Sequence, residues 1–116
     1  MSNDIEIQRE VKKLINKILK LSGKAMMAGT KKERKKATKA LNQIIRDEKY
    51  RQIAIDILIE SLESKDIDVR TVAVVILGEF RDQKAVKPLR KILKDEEEGI
   101  QEAVTEALKK IQEAER

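Results

Sequence analysis

The chain of 116 residues lacks cysteine and histidine altogether. Without cysteine it can form neither disulfides nor thiolate zinc sites, and it has no thiol nucleophile. Without histidine it lacks both the commonest general base and the commonest transition-metal ligand. Lysine, a single tyrosine and the carboxylates remain, and they form no arrangement typical of an active site. The sequence therefore predicts a protein that is not an enzyme and that has no metal and no cofactor.

Residues that interrupt helices are scarce, and so are aromatic residues. There are four glycines and one proline, Pro88, and the aromatic residues are Tyr50 and Phe80. This composition favours helix throughout, with an aliphatic core. Hydrophobic and charged residues each make up 41% of the chain, which predicts a folded, soluble domain rather than a disordered segment. Richness in Ile, Lys and Glu is typical of proteins from hot-growing organisms.

Long apolar segments are also missing. No apolar run approaches the roughly 18 residues that a membrane-spanning helix needs. The N-terminus carries Asp4 and Glu6 and has no apolar segment of the secretory type. We therefore expect a cytoplasmic protein with no membrane partner.

The net charge of +5 is unevenly distributed. Residues 1–60 hold 15 basic and 8 acidic side chains, a balance of +7, whereas residues 61–116 hold 11 and 13, a balance of −2. A basic half can attract an acidic protein, a nucleic acid or an anionic membrane, and charge alone does not choose among them.

Apolar residues recur at three- and four-residue steps along the chain, which is the spacing of amphipathic helices. The pattern predicts about six helices, at approximately 4–22, 30–47, 49–64, 68–80, 83–95 and 99–113. Gly23 is expected to end the first helix, with residues 23–30 as a connector, and Thr30 is expected to cap the second helix.

The fourth and fifth predicted helices carry two further local signals. The fourth is the most apolar, so we expect it to be sandwiched between neighbours. Gly78 near its end suits either a close approach of two backbones or a loose last turn. In the fifth helix Pro88 has no N–H to donate, so residues 83–87 are expected to form an opening turn.

The apolar spacing of the fourth helix is matched 36 positions earlier and 31 positions later. The corresponding residues are, in chain order, Arg34, Ala37, Leu41 and Ile44; Arg70, Ala73, Leu77 and Phe80; and Gln101, Val104, Leu108 and Ile111. A period in this range is typical of a helical solenoid, in which each unit contacts mainly its neighbours. We expect one domain, 1–116, with a capping helix at 4–22 and repeat units at 30–65, 66–95 and 96–114.

The middle unit carries two motifs, Asp66-x-Asp-Val-Arg-x-x-Ala-x-x-x-Leu-Gly and Lys84-Ala-Val-x-Pro-Leu-x-x-x-Leu-x-Asp95. They resemble a HEAT-like repeat of the short type that is also seen in phycobilisome-lyase-related proteins. The resemblance is close over 66–95, fair over 34–65 and 96–111, and absent from 1–29. It implies an all-α, HEAT-like, right-handed solenoid of helical hairpins, here of about six helices, whose second helices line a concave binding face.

The resemblance also implies functions and residue roles. Proteins with this fold are mostly scaffolds, although some are enzymes or DNA-binding glycosylases, and its hydroxylases need histidine–glutamate metal sites that this chain cannot supply. In the family an aspartate caps the first helix of a unit and an arginine pairs with an aspartate of an adjacent unit. Structural roles are therefore implied for Asp66, Asp68, Asp95 and Arg70. Gln101 stands where a third unit would have arginine, so a ladder of such pairs stops there or is neutral.

The strongest candidate for a functional site is the fifth predicted helix. Between positions 83 and 94 it has no acidic residue and five basic ones, Lys84, Lys87, Arg90, Lys91 and Lys94. At about 100° per residue, the four lysines fall on one face, opposite the apolar side. That face would be concave if this is the second helix of its unit, as the resemblance implies. It is either a solvated surface or a binding site for an anionic partner.

Two further segments are open to more than one interpretation. A second basic cluster comprises Lys31, Lys32, Arg34, Lys35, Lys36 and Lys39. Positive charge at the start of a helix opposes the helix dipole, which suggests anion contact, but lysine-dense surfaces are also typical of thermophile proteins. The first helix is expected to cover the open end of the solenoid, with self-association as the main alternative.

We therefore predict a non-catalytic scaffold or adaptor that binds an anionic macromolecule, in the first place a protein with an acidic surface. The expected partner-binding residues are Lys84, Lys87, Arg90, Lys91, Lys94, Lys31, Lys32, Lys35 and Lys36. The alternative is a protein that binds the phosphate backbone of DNA or RNA without reading its sequence. Against it, the chain lacks aromatic platforms for stacking bases and has few arginines for reading base edges.

Overall fold

The computed structural model describes residues 2–27, 32, 39, 42–43, 46–95 and 98–114. Over these residues the chain consists of helices and the turns between them, without a strand. The helices are α1 (Ser2–Met27), α2 (Glu48–Ser61), α3 (Ile67–Phe80), α4 (Val86–Asp95) and α5 (Glu98–Ala114). The predicted all-α fold of helical hairpins is confirmed.

The helix predicted at 30–47 falls almost entirely outside the described residues. Within it, the positions that the structure describes as helical are 32, 39, 42, 43 and 46. The described residues therefore contain five α-helices, compared with about six that were predicted.

The first helix is longer than predicted. α1 continues through Gly23 to Met27, so the glycine does not end it, and the connector expected at 23–30 is wrong over 23–27. A glycine inside a helix costs only about 1 kcal/mol relative to alanine. The alanine and two methionines that follow it, at 25–27, are good helix formers and continue the helix. The roles of α1 as a cap or as a surface for self-association stay predictions.

The structure divides into two compact units, Met1–Ile57 and Leu58–Arg116, with the boundary inside α2. The buried apolar side chains of the first unit are Val11 and Ile15 in α1 and Ala54 and Ile55 in α2. Asp47 caps the N-terminus of α2, because its Oδ1 accepts the backbone N–H of Lys49 at 3.0 Å and that of Tyr50 at 3.3 Å. Such a cap satisfies amide groups that have no partner within the helix.

The second unit is built around α3. Asp66 caps this helix, since its Oδ1 accepts the backbone N–H of Asp68 at 2.9 Å. The buried residues of α3 are Val72, Ala73, Val74, Ile76, Leu77, Gly78 and Phe80. Because they are nearly consecutive, they point to all sides of the helix. This confirms that the most apolar helix is covered on more than one side.

α3 packs against α5, the helix after next in chain order, and α4 also packs against α5. A Cβ atom at Gly78 would lie 2.9 Å from both Cα and Cβ of Ala107, so the two backbones approach too closely for a side chain. Of the two roles predicted for Gly78, close approach is therefore the correct one. Glu79 and Lys110 form an ion pair beside this contact, and they are 31 residues apart, the period seen in the sequence.

Equivalent side chains of two successive repeats bind the end of the preceding helix. Nη1 of Arg70 donates to the carbonyl oxygen of Ser64 at 2.6 Å, just after α2. Nε2 of Gln101, which is 31 positions later, donates to the carbonyl oxygen of Leu93 at 3.2 Å, near the end of α4. Glutamine thus makes in one repeat the kind of contact that arginine makes in the other. The pairing of Arg70 with an aspartate stays a prediction, and the side chain of Asp95 lies outside the described residues.

In the first unit a hydrogen bond joins α1 to α2. The hydroxyl of Tyr50 donates to Oε2 of Glu10 at 2.9 Å. This bond raises the pKa of Tyr50 above its ordinary value of 10.0, and partial desolvation and the negative charges of Glu10 and Asp47 act in the same direction. Because the folded chain holds the phenol proton more tightly, the bond stabilises the fold below the unfolded pKa. That contribution is lost as the pH rises through the folded pKa.

Substitution Gly78→Ala tests the contact between α3 and α5. Helix propensity alone predicts that alanine stabilises a helix interior by about 0.5–1 kcal/mol. The added Cβ must instead push Ala107 away, so we expect the free energy of unfolding to fall by about 1–3 kcal/mol. Urea denaturation followed by circular dichroism measures the change. Glu106→Ala, at an exposed position of α5, is the control and should stay within about 0.5 kcal/mol of the parent. A more stable Gly78→Ala variant would contradict the close approach.

Titration of Tyr50 tests the hydrogen bond in the first unit. The chain has one tyrosine and no tryptophan, so the absorbance of tyrosinate in the near ultraviolet reports this residue alone. We expect the pKa to lie above its ordinary value in the folded chain and to fall towards that value in Glu10→Gln. Glu6→Gln, an exposed change on the same helix, should leave the pKa unchanged. An ordinary pKa in the folded parent would show that the bond does not form in solution.

Candidate functional site

The candidate site lies on α4, and three local signals fix where this helix begins. Asp82 accepts the backbone N–H of Lys84 on its Oδ1 at 2.9 Å. A 3₁₀ turn at Gln83–Ala85 follows, and α-helix begins at Val86. Pro88 therefore stands in the first α-helical turn, where a missing N–H leaves no hydrogen bond unmade. The predicted opening turn at 83–87 is confirmed over 83–85, whereas residues 86 and 87 already belong to the α-helix.

α4 has one face turned into the second unit and one face turned outward. Ala85, just before it, and Leu89 are fully buried. Lys84, in the 3₁₀ turn, and four basic residues of α4 are all exposed, and we call the five together the basic face of α4: Lys84, Lys87, Arg90, Lys91 and Lys94. The structure thus places every basic residue that the sequence singled out on this helix at the surface.

A cleft of about 520 Å³ lies beside the basic face. Its walls come from the end of α2, the turn after it, the first turn of α3 and residues 87–92 of α4. The lining residues are Ile59, Leu62, Glu63, Ser64, Arg70, Lys87, Pro88, Lys91 and Ile92. We call this space the α4 cleft, and all its residues belong to the second unit.

The α4 cleft combines an aliphatic lining with positive charge. Leu62 is buried and Ile59, Pro88 and Ile92 are half-buried, so apolar surface is open to the cleft. Lys87 and Lys91 add two exposed ammonium groups. They are four residues apart and therefore neighbours on the helix surface. An arrangement of apolar walls with a few charged groups is typical of binding sites rather than of solvated surface.

Sequence reasoning identified the two lysines of this cleft but missed its apolar residues. Leu62 and Ile92 fit the helical pattern of core positions, and the sequence carries no sign that space is left between them. The available signal was the position of α2 and α4 as second helices of successive units, because neighbouring helices of this kind form the inner surface of a solenoid.

The second basic cluster is largely outside the described residues. Lys32 is helical and exposed, as is Lys39. Lys31, Lys35 and Lys36 are not described, so their role stays a prediction. Lys32 and the basic face of α4 belong to different units, and each is considered by itself.

In the described part of the chain, no group of three or more carboxylates is placed to hold a metal ion. Across the same residues, every helix is too short or too polar to span a lipid bilayer.

Comparison with known proteins identifies the repeat. The family model of HEAT repeats matches residues 55–116, which is more than half of the chain. Comparison with curated proteins and with solved structures gave no significant match. The matched region begins in α2 and includes α3, α4 and α5, where α3 packs on the helix after next. HEAT repeats generally act as protein-interaction scaffolds and are generally not catalytic. On this match, and on the helical hairpins that it covers, the chain belongs to the HEAT repeat family.

Proposed function

We propose that this protein is a non-catalytic scaffold that binds a partner protein with an acidic surface through the basic face of α4. The observation that carries the proposal is the exposure of all five basic side chains of that face, on a helix segment with no acidic residue between positions 83 and 94. The second cluster, around Lys32 in the first unit, is a separate proposal for contact with an anionic partner.

The charge balance of the second unit supports this proposal. Residues 58–116 hold 11 basic and 14 acidic side chains, so the unit as a whole carries a formal charge of −3. Five of its 11 basic residues nevertheless lie on one short helix and the turn that opens it. Lysines that served only to solvate the surface would be expected to spread over the whole unit rather than to concentrate on one face. A local positive patch instead steers an acidic partner to one face and fixes its orientation.

Charge reversal on α4 tests the proposal. Lys87→Glu with Lys91→Glu should weaken capture of acidic proteins from an extract of the source organism by about tenfold or more, because two attractive charges become repulsive. Quantitative mass spectrometry of the captured proteins measures the loss. Lys65→Glu with Lys109→Glu, also exposed in the second unit, makes the same change in net charge elsewhere and should leave capture intact.

Two outcomes would contradict the proposal. Equal capture by the parent and the α4 variant, with helical content unchanged in both, would make the basic face a solvated surface. Capture that disappears after nuclease treatment, together with a steep dependence of duplex binding on salt, would instead establish phosphate-backbone binding.

A further inference from the structure

We propose that the α4 cleft binds a short acidic segment of the partner protein, one in which a bulky apolar side chain is flanked by carboxylates. This inference rests on the proposed function, since it specifies which part of an acidic partner is recognised and where. The apolar side chain enters the cleft, and the carboxylates bind the ammonium groups at its edge.

The size and lining of the cleft favour an apolar anchor. Its volume of about 520 Å³ falls in the range of roughly 300–1,000 Å³ that is usual for sites taking small ligands or a few side chains. Ile59, Leu62, Pro88 and Ile92 present aliphatic surface to it. An apolar side chain that covers this surface removes it from water, which is the main source of affinity in binding pockets. A ligand with charged groups alone would leave this apolar surface exposed to water.

The position of the lysines favours flanking carboxylates. Lys87 and Lys91 line the cleft and also belong to the basic face. Lys84 and Lys94 lie on the same face but do not line the cleft. The two inner lysines can therefore bind carboxylates adjacent to an anchored side chain, while the two outer ones act only through longer-range attraction.

Acidic groups beside the cleft favour a peptide over a nucleic acid. Glu63 lines the cleft and is exposed, and Glu60, one turn earlier, is exposed too. These glutamates stand 31 positions before Lys94 and Lys91, so the basic face gives way to carboxylates at the preceding helix. A nucleic-acid backbone carries a negative charge at every nucleotide and would be repelled there, whereas a peptide can confine its carboxylates to the side of the lysines. A peptide also has backbone N–H groups, which the carboxylate of Glu63 can accept.

Selection of displayed peptides tests the inference on the full chain. A random library of short peptides is selected against the parent protein at about 0.1 M salt, where long-range attraction is largely screened. We expect the selected sequences to combine Asp or Glu with a large aliphatic or aromatic residue. A fluorescein-labelled peptide of that consensus then serves as the probe, and fluorescence anisotropy measures its affinity. A second peptide carries serine in place of the apolar residue, and a third probe is a single-stranded oligonucleotide.

Variants of α4 provide the matched comparison. Lys87→Glu with Lys91→Glu and Lys84→Glu with Lys94→Glu make identical changes in net charge on one helix face. We expect the first pair to weaken binding of the consensus peptide by at least about tenfold and the second by much less, because only the first pair lines the cleft. The serine peptide should also bind at least about tenfold more weakly than the consensus peptide. Ile92→Gln should reproduce that loss, and if it fails to fold, the serine peptide still tests the apolar anchor.

The outcomes separate this inference from the proposed function. If the consensus and serine peptides bind equally well and the two pairs of charge reversals have equal effects, the cleft is not used. The proposed function then stands, because the basic face still binds acidic partners. If no acidic peptide binds, or if only the oligonucleotide binds, both the inference and the proposed function are wrong.

Discussion

The approach of α3 to α5 at Gly78 and Ala107 sets the geometry of the second unit. Because Gly78 adds no side chain beside the methyl group of Ala107, the aliphatic residues on either side of this point can interdigitate and exclude water. The core that results is formed by side chains of all four helical segments in the unit and contains a single aromatic ring, that of Phe80. α4 also packs on α5, so its apolar side is committed to the core and its opposite face is left to solvent. The exposure of the basic face thus follows from the packing of α4 on α5.

Hydrogen bonds to helix ends complement this packing. Aspartate side chains satisfy the first N–H groups of α2, α3 and the turn before α4. Arg70 and Gln101 bind carbonyl oxygens at or after the ends of α2 and α4. None of the polar or charged residues that the structure describes is buried. The polar groups at these helix ends are therefore satisfied at exposed or half-buried positions. The fully buried side chains make apolar contacts, in keeping with a chain that is rich in both aliphatic and charged residues.

Local patterns in the sequence predicted most of the second unit. The approximate bounds of α3, α4 and α5 followed from apolar spacing and the turn before Pro88 from residue type, because these features depend on a few adjacent residues. An aspartate cap at Asp66 or Asp68 was implied by the resemblance to HEAT-like repeats, and the structure assigns it to Asp66. Contacts between distant residues were missed. The hydrogen bond between Tyr50 and Glu10 joins residues 40 positions apart, and no periodicity in the sequence indicates it. The α4 cleft was missed for a similar reason, since Ile92 has the pattern of a core residue and only packing decides whether space remains beside it. The end of α1 was misplaced because glycine is compatible with both the interior and the end of a helix.

Native-state hydrogen exchange on the full chain tests most directly whether the second unit is built around α3. Amides that exchange only through unfolding of a whole unit lie in its best-buried elements, whereas half-exposed helices open locally. We expect the slowest exchange of the unit at Val72–Leu77 of α3 and faster exchange in α4, which is short and exposed on its basic side. Amides of α3 that exchange as fast as those of α4 would contradict it, and the basic face would then have no rigid support.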